Sequence, residues 1–407
     1  MSSVLLIRVV TILLAAAAGA CTLVHKTIES DNGDLIDCVD MYQQPALKNI
    51  SPGRRQIQAK PEMSMEAVVM AANASRSSMV RARQQIWWKH GSCPAGTVPI
   101  LRASGRANPE VAELVRRASP FGRPAGSALW DTSEAMDTPT GKVEVAAAYS
   151  TNGPFLGARA DIPYWRIDVH PGEFSMNYIL IGYTLDTNYV PMPGSKPPAD
   201  LTNQIAVGLV AWPSLFGDSL SRLFVYYTTD GGVHNNCFNL DCGGFHLHQS
   251  SFALGDAWRD SDSQVGGERF GVTVSIHRGP ADLNWWVSVM DQEIGYYPET
   301  IFNTRFPQAV YVEMGGRVLN TRPGGNHTTT PMGNGIPSCA GSRFAATIME
   351  FSGINFNGVL FNDNAHRTIA TSPSCYGANP MGFGRTRPGY NVAYGGPGGI
   401  FCDQADG

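Results

Sequence analysis

From residue 143 onward the hydrophobic positions fall at every second residue or in short apolar runs. The runs are VEVAAAYS (143–150), GARADIPYW (157–165), EFSMNYILIGY (173–183), QIAVGLVAW (204–212), SRLFVYYTTD (221–230), FHLHQSSFALG (245–255), RFGVTVSIHR (269–278), NWWVSVMDQEIGYY (284–297) and AVYVEMGGRV (309–318). A period of two is that of a half-buried strand, and Gly231-Gly232, Gly266-Gly267 and Pro323-Gly324 punctuate the runs. Short strands at such regular spacing predict an all-β sandwich or barrel. No long amphipathic helix interrupts this half.

The first part of the chain reads differently. PEMSMEAVVMAANASRSSMVRARQQIWW (61–88) has helical potential and is followed by GSCPAGTVPI (91–100), which suggests a separate small unit. Residues 103–142 lack strong apolar periodicity and carry Arg116-Arg117, Pro, Gly and Ser, as an exposed, cleavable linker does. A boundary is expected there.

Within AVYVEMGGRV, Tyr311 and Glu313 share one face of the strand, with Val310, Val312 and Met314 on the other. Arg317 returns to the glutamate's face two pleats on, where it is placed to act as a counter-ion if the strand runs through the glycines. Trp285 and Trp286 must point to opposite faces, so one is core and the other is a candidate cleft residue for stacking on proline rings or sugars. Core packing of both is the competing account.

At 407 residues the chain is long enough for one large β domain or two smaller units. Only 16% of residues are charged and the net charge is −4, so nothing marks a nucleic-acid or acidic-membrane partner. The N-terminus MSSVLLIRVVTILLAAAAGAC joins one arginine, a short apolar run and small residues at Ala18 and Ala20, the pattern of a cleaved signal over residues 1–20. A membrane anchor and a lipoprotein with lipid on Cys21 fit less well. Sequons at Asn73 and Asn326 agree with secretion, and Asn49-Ile50-Ser51-Pro52 is a weaker one.

Eight cysteines in a secreted chain read first as disulfides. The expected pairs are Cys38 with Cys93, Cys237 with Cys242 and Cys375 with Cys402, leaving Cys339 odd, although spacing does not fix connectivity. CFNLDCGGFHLH (237–248) also has the look of a metal site, but the spacing and an oxidising compartment favour a small disulfide loop, and no metal or cofactor is expected. There is no G-x-S-x-G elbow, H-E-x-x-H helix or P-loop. The Asp131 segment WDTSEA reads as a solvated turn, and DSDSQVGGE (260–268) breaks the spacing of a calcium loop.

Taken together, DNGDLIDCVDMYQQPALKN followed by KPEM, then KHGSCPAGTVPI, GARADIPYW, RLFVYYTTDGGVHNNCFNLDCGGF, NWWVSVMDQEIGYYPETIF, VEMGGRV, HTTTPMGNG and YGGPGG, resemble the plant neprosin family in order and over nearly the whole chain after the signal. The resemblance implies a zymogen: an activation peptide with linker over residues 21–125 and a glutamic peptidase domain over 140–407. That domain is a sandwich of two antiparallel sheets with a cleft. It implies a proline-cleaving endopeptidase working with two glutamates, delivered to the apoplast, cell wall or vacuole, and activated by cleavage in the linker near 117–140.

Two close carboxyls resist joint ionisation, so one takes a proton from water while its protonated partner polarises the carbonyl. Glu313 matches the second family glutamate. The strand that carries the first reads NQIAVGLVAWP here, and anchoring it on Ile205, Gly208 and Pro213 puts Ala206 at the glutamate's position. A methyl group neither accepts nor donates a proton. Gln204, on the same face as Ala206, is a candidate substitute, because the fungal glutamic peptidases, a different family, pair Gln with Glu. The backbone offset of about 6–7 Å opposes it. The expectation is therefore lost or reduced peptidase activity. The alternative is a non-catalytic binder of proline-rich peptides or cell-wall glycans through the same cleft.

Overall fold

Strict inside–outside alternation along long strands requires two layers to cover the apolar faces, and the computed structural model of the protein has that form. It describes residues 23–72, 84–102, 110, 121, 136–138, 141–184, 202–232, 234–248, 251–258, 262–363, 366–383, 389–399 and 402. The segment read as a signal, Asn73 and most of the segment read as a linker lie outside these.

In chain order the strands are β1 (Val24–Glu29), β2 (Leu35–Asp40), β3 (Thr97–Leu101), β4 (Met136–Thr138), β5 (Gly141–Ser150), β6 (Gly157–Pro163) and β7 (Ser175–Thr184). There follow β8 (Thr202–Ala211), β9 (Arg222–Thr228), β10 (Asn236–Phe238), β11 (His246–Leu247), β12 (Gly271–His277), β13 (Asn284–Val289) and β14 (Gln292–Pro298). The last six are β15 (Tyr311–Asn320), β16 (Thr347–Ile354), β17 (Leu360–Phe361), β18 (Arg367–Ala370), β19 (Gly377–Phe383) and β20 (Tyr390–Gly395). β1, β2 and β3 form a small antiparallel sheet of their own.

The first sandwich sheet has the order β10-β9-β8-β7-β15-β5-β18, with β4 beside β5. The second has the order β11-β14-β13-β12-β6-β16-β20-β19, with β17 beside β16. Their facing sides make one core. Ala146, Ala148, Ile179, Ile181, Ile205, Val207, Val225, Val312 and Met314 of the first sheet meet Ala160, Ile162, Val274, Ile276, Trp285 and Val287 of the second, all buried. The intervening residues of β5, β7, β8, β9 and β15 point to the other side of the first sheet, where Val145, Met176, Tyr178, Leu180, Ala206, Phe224, Tyr226 and Tyr311 form a second buried cluster. That outer face carries the glutamate.

The N-terminal unit is fastened to the sandwich. Gln44 brackets the backbone of Leu247, donating from Nε2 to its carbonyl at 2.9 Å and accepting from its N–H at 2.5 Å. Asp34 pairs with Arg222 at 2.6 Å, and Ile28, Ile36 and Trp87 share a cluster with Ala253. Disulfides join Cys38 to Cys93, Cys237 to Cys242 and Cys375 to Cys402, and Cys339 is an exposed thiol. Asn326 is exposed just after β15. The methionine-rich run supplies a short helix, α1 (Met65–Ala71), capped by Ser64, whose hydroxyl accepts from the Ala67 N–H.

Candidate functional site

β15 is the middle of the site because its two glycines do not interrupt it. Gly315 stands against Tyr178 of β7 and Ala147 of β5, and a Cβ there would sit 2.3 Å from the Ala146 carbonyl oxygen. Gly208 of β8 stands against the other side of Tyr178, where a Cβ would sit 2.0 Å from the Asn177 carbonyl oxygen. The absence of both side chains lets β15 close on β5 and β8 close on β7, and leaves the Tyr178 ring flanked by bare backbone.

One pleat away, the register aligns Tyr149, Glu313, Leu180, Ala206 and Tyr226 in a single cross-strand row. Residues directly opposite in antiparallel strands share a face, so Glu313 and Ala206 face the same way two strands apart, about 10 Å between Cα atoms. Ala206 is fully buried and presents only its methyl.

Glu313 is 1% exposed and saturated. Arg317 Nη2 donates to its Oε1 at 2.8 Å, the Tyr178 hydroxyl donates to the same oxygen, and the Tyr311 hydroxyl donates to Oε2. Arg317 Nε also donates to the Tyr178 oxygen at 2.8 Å, closing the network. Burial alone would push the Glu313 carboxyl up. The Arg317 charge and the two phenol donors outweigh it and hold the carboxyl below its usual range. Burial keeps the Tyr178 phenol protonated well above its ordinary value, as a donor must be. The site holds an ionised carboxylate with its counter-ion, and no second carboxyl lies in the Glu313 row.

Gln204 shares this face but lies in the next row, opposite Gly182, which is opposite Tyr311. Its Oε1 is buried with no hydrogen-bond partner among the described residues, and Oε2 of the glutamate is engaged by Tyr311 instead. The two tryptophans need a correction. Both are fully buried in β13 of the second sheet: Trp285 fills the inter-sheet core and donates to the Phe306 carbonyl at 2.8 Å, while Trp286 donates to Asp282 at 3.1 Å and packs on Tyr296. Neither lines the face of Glu313, because that face belongs to the opposite layer.

Two residues of the site escaped sequence reasoning. Tyr178 carries the right parity in MNYILIG, but only the β7–β15 register reveals that it meets Glu313. Phe121, from the segment read as a linker, is 1% exposed and lies on this face. Its ring centroid is 4.8 Å from that of Tyr178, 4.8 Å from that of Tyr226 and 6.2 Å from that of Phe224, and the Arg317 guanidinium lies over it at 4.6 Å.

Among solved structures, two chains of scytalido-glutamic peptidase with transition-state analogues align over 62% of this chain and 98% of theirs, at 8% and 9% identity and TM-scores of 0.32 and 0.31. A β-porphyranase from the human gut bacterium Bacteroides plebeius aligns over 50% of this chain and 72% of its own, at 8% identity and a TM-score of 0.22. Residues 27–123 match the neprosin activation peptide and residues 173–397 match Neprosin. Phe121 falls inside the first match and Glu313 and Ala206 inside the second. The two matches cover most of the chain, and the protein belongs to the neprosin family.

Proposed function

We propose that this chain is a secreted relative of the proline-cleaving glutamic endopeptidases that has lost catalysis and keeps the face as a binding site for an extended peptide. One observation carries the reading: Glu313 is neutralised by Arg317 while the residue across the sheet from it is Ala206. A general-acid partner must be protonated where the substrate carbonyl sits, and a methyl supplies no proton. Losing one positioned acid or base costs about 10²–10⁴ in rate. Arg317 adds to the loss, because a cation beside the remaining carboxylate favours the ionised form over the shared-proton form that a carboxyl pair needs. Residues 1–20 are read as a secretory signal and Phe121 as part of a pro-segment that covers the face until it is cleaved. Among the described residues no helix is long and apolar enough to cross a membrane.

The test is cleavage of a quenched proline-containing peptide by acid-treated full-length protein, with Ala206→Glu and Glu313→Gln beside it. The expected result is no turnover by wild type and an acid-dependent gain in Ala206→Glu. Turnover by wild type that disappears in Glu313→Gln would overturn the reading, and would make Gln204 the next residue to replace.

A further inference from the structure

The contacts of Phe121 define more than a covered site. β8 lies between β7 and β9, with Gly208 directly between Tyr178 and Phe224 and Ala206 directly between Leu180 and Tyr226. A ring in contact with Tyr178, Phe224 and Tyr226 at once must lie across β8 at those two small residues. They form the floor of a trough whose walls are aromatic. Arg317, held over the ring at 4.6 Å and over Tyr178 at 5.2 Å, closes one end with a positive charge fixed by Glu313.

We propose that this trough is a subsite for a single aromatic side chain, so that the peptides this face takes up carry Phe or Tyr where Phe121 now lies. The inference rests on the reading of the face as a peptide-binding site, and it names what that site selects. An aromatic ring gains from edge and offset contacts with three rings and from a desolvated guanidinium over its face. Leucine has the bulk without the quadrupole, and proline has neither the π-face nor the length to reach all three walls. Ala206 is the determinant. A glutamate there would rise from the floor of the trough and place a carboxylate against the negative face of the ring. The loss of the acid and the making of the aromatic pocket are then one change.

The test uses the full chain with Phe121→Ala, which empties the trough, and measures thermal stabilisation by N-acetyl-phenylalaninamide, N-acetyl-leucinamide and N-acetyl-prolinamide. The phenylalanine amide is expected to act at concentrations about tenfold lower than the other two, from the aromatic and cation–π contacts. It is expected to have no effect on wild type and to lose its advantage in Phe121→Ala with Ala206→Glu. Equal action of the leucine or proline amide, or no response to any of the three, overturns the proposal. Should Phe121→Ala fail to fold, Phe121→Tyr and Phe121→Leu read the same preference. A melting temperature kept by Tyr and lowered by Leu supports an aromatic subsite, and one kept equally by both refutes it. Turnover by wild type would overturn the inactive reading and leave this result standing. An absent aromatic preference would do the reverse.

Discussion

Arg317 and Arg222 lie in one cross-strand row of the same outer face, joined through Met176 and Val210, and both are buried. Among the described residues Arg317 pairs with the carboxylate of Glu313, whose other donors are two phenols. Arg222 meets Asp34 at 2.6 Å and Asp218 through Nε at 3.0 Å, with the buried Asp256 close by. That pairing and the phenol donors leave Glu313 ionised. Burial pushes Asp256 up to about 8, with the Asp34 charge adding to the rise and Arg222 opposing it. The molecule does hold a carboxyl that stays protonated near neutrality, as acid chemistry demands, but it sits at the junction with the N-terminal unit. A perturbed carboxyl therefore does not by itself locate the candidate site in this chain.

The comparison breaks most severely if the crowded cation is removed. Arg222→Met should cost about 3–5 kcal/mol at pH 7, since the buried Asp34 carboxylate loses its cation. Urea unfolding reads the loss, and a cost below about 1 kcal/mol would mean that the aspartates find other partners. Arg317→Met should cost slightly less at pH 7 and much less at pH 4. In wild type the depressed Glu313 pKa contributes stability above about 4.5 that is lost as pH falls through the folded value. Without Arg317, burial raises that pKa, the sign inverts, and stability falls as pH climbs past about 4.5. The same loss at both pH values would show that the pair is not the origin of the effect.

Asp256→Asn should stabilise. Below the unfolded value near 3.9 both states hold the proton. Between there and about 8 the unfolded chain releases it while the native protein keeps it, so wild type loses stability as pH rises. The amide removes that slope, with a gain of about 1–3 kcal/mol at pH 7. Melting curves from pH 4 to 8 that run parallel for the two proteins would contradict the raised pKa.

Much of this geometry was legible beforehand, and the reasons are physical. Alternation identified β5, β7, β8, β9 and β15 because each has one face on the inter-sheet core, and parity put Tyr311, Glu313 and Arg317 on a common face. β18 and β19 left no such trace. β18 reads exposed and half-buried throughout and β19 is GANPMGF, with Gly and Pro at an edge, so neither shows a period of two. FHLHQSSFALG is expected as one strand, yet among its described residues only His246–Leu247 joins the sheet as a strand, against β14. The tryptophans had the right opposed directions in the wrong layer, since parity assigns faces within a sheet and not the sheet itself. Phe121 was beyond reach, because a single aromatic in SPFGRP carries no periodicity and gains its place only from the tertiary trough.

The smallest effect is the sharpest test of how Glu313 is held. Tyr311→Phe removes the one donor on Oε2 and keeps the ring, whose centroid lies 5.7 Å from that of Tyr149. Arg317 and Tyr178 still grip Oε1, so the carboxyl should stay ionised with its pKa moved upward toward the ordinary range, at a cost of about 1 kcal/mol. Carbon-detected NMR titration of the Glu313 carboxyl measures the shift directly. The variant also frees the oxygen that faces the Gln204 row. If the Gln204 amide can swing to Oε2, both the shift and the cost should vanish and should return in Tyr311→Phe with Gln204→Leu. If the shift persists with Gln204 intact, the two strand spacings and one pleat between the side chains are too far for an amide to bridge, and Gln204 is no replacement partner.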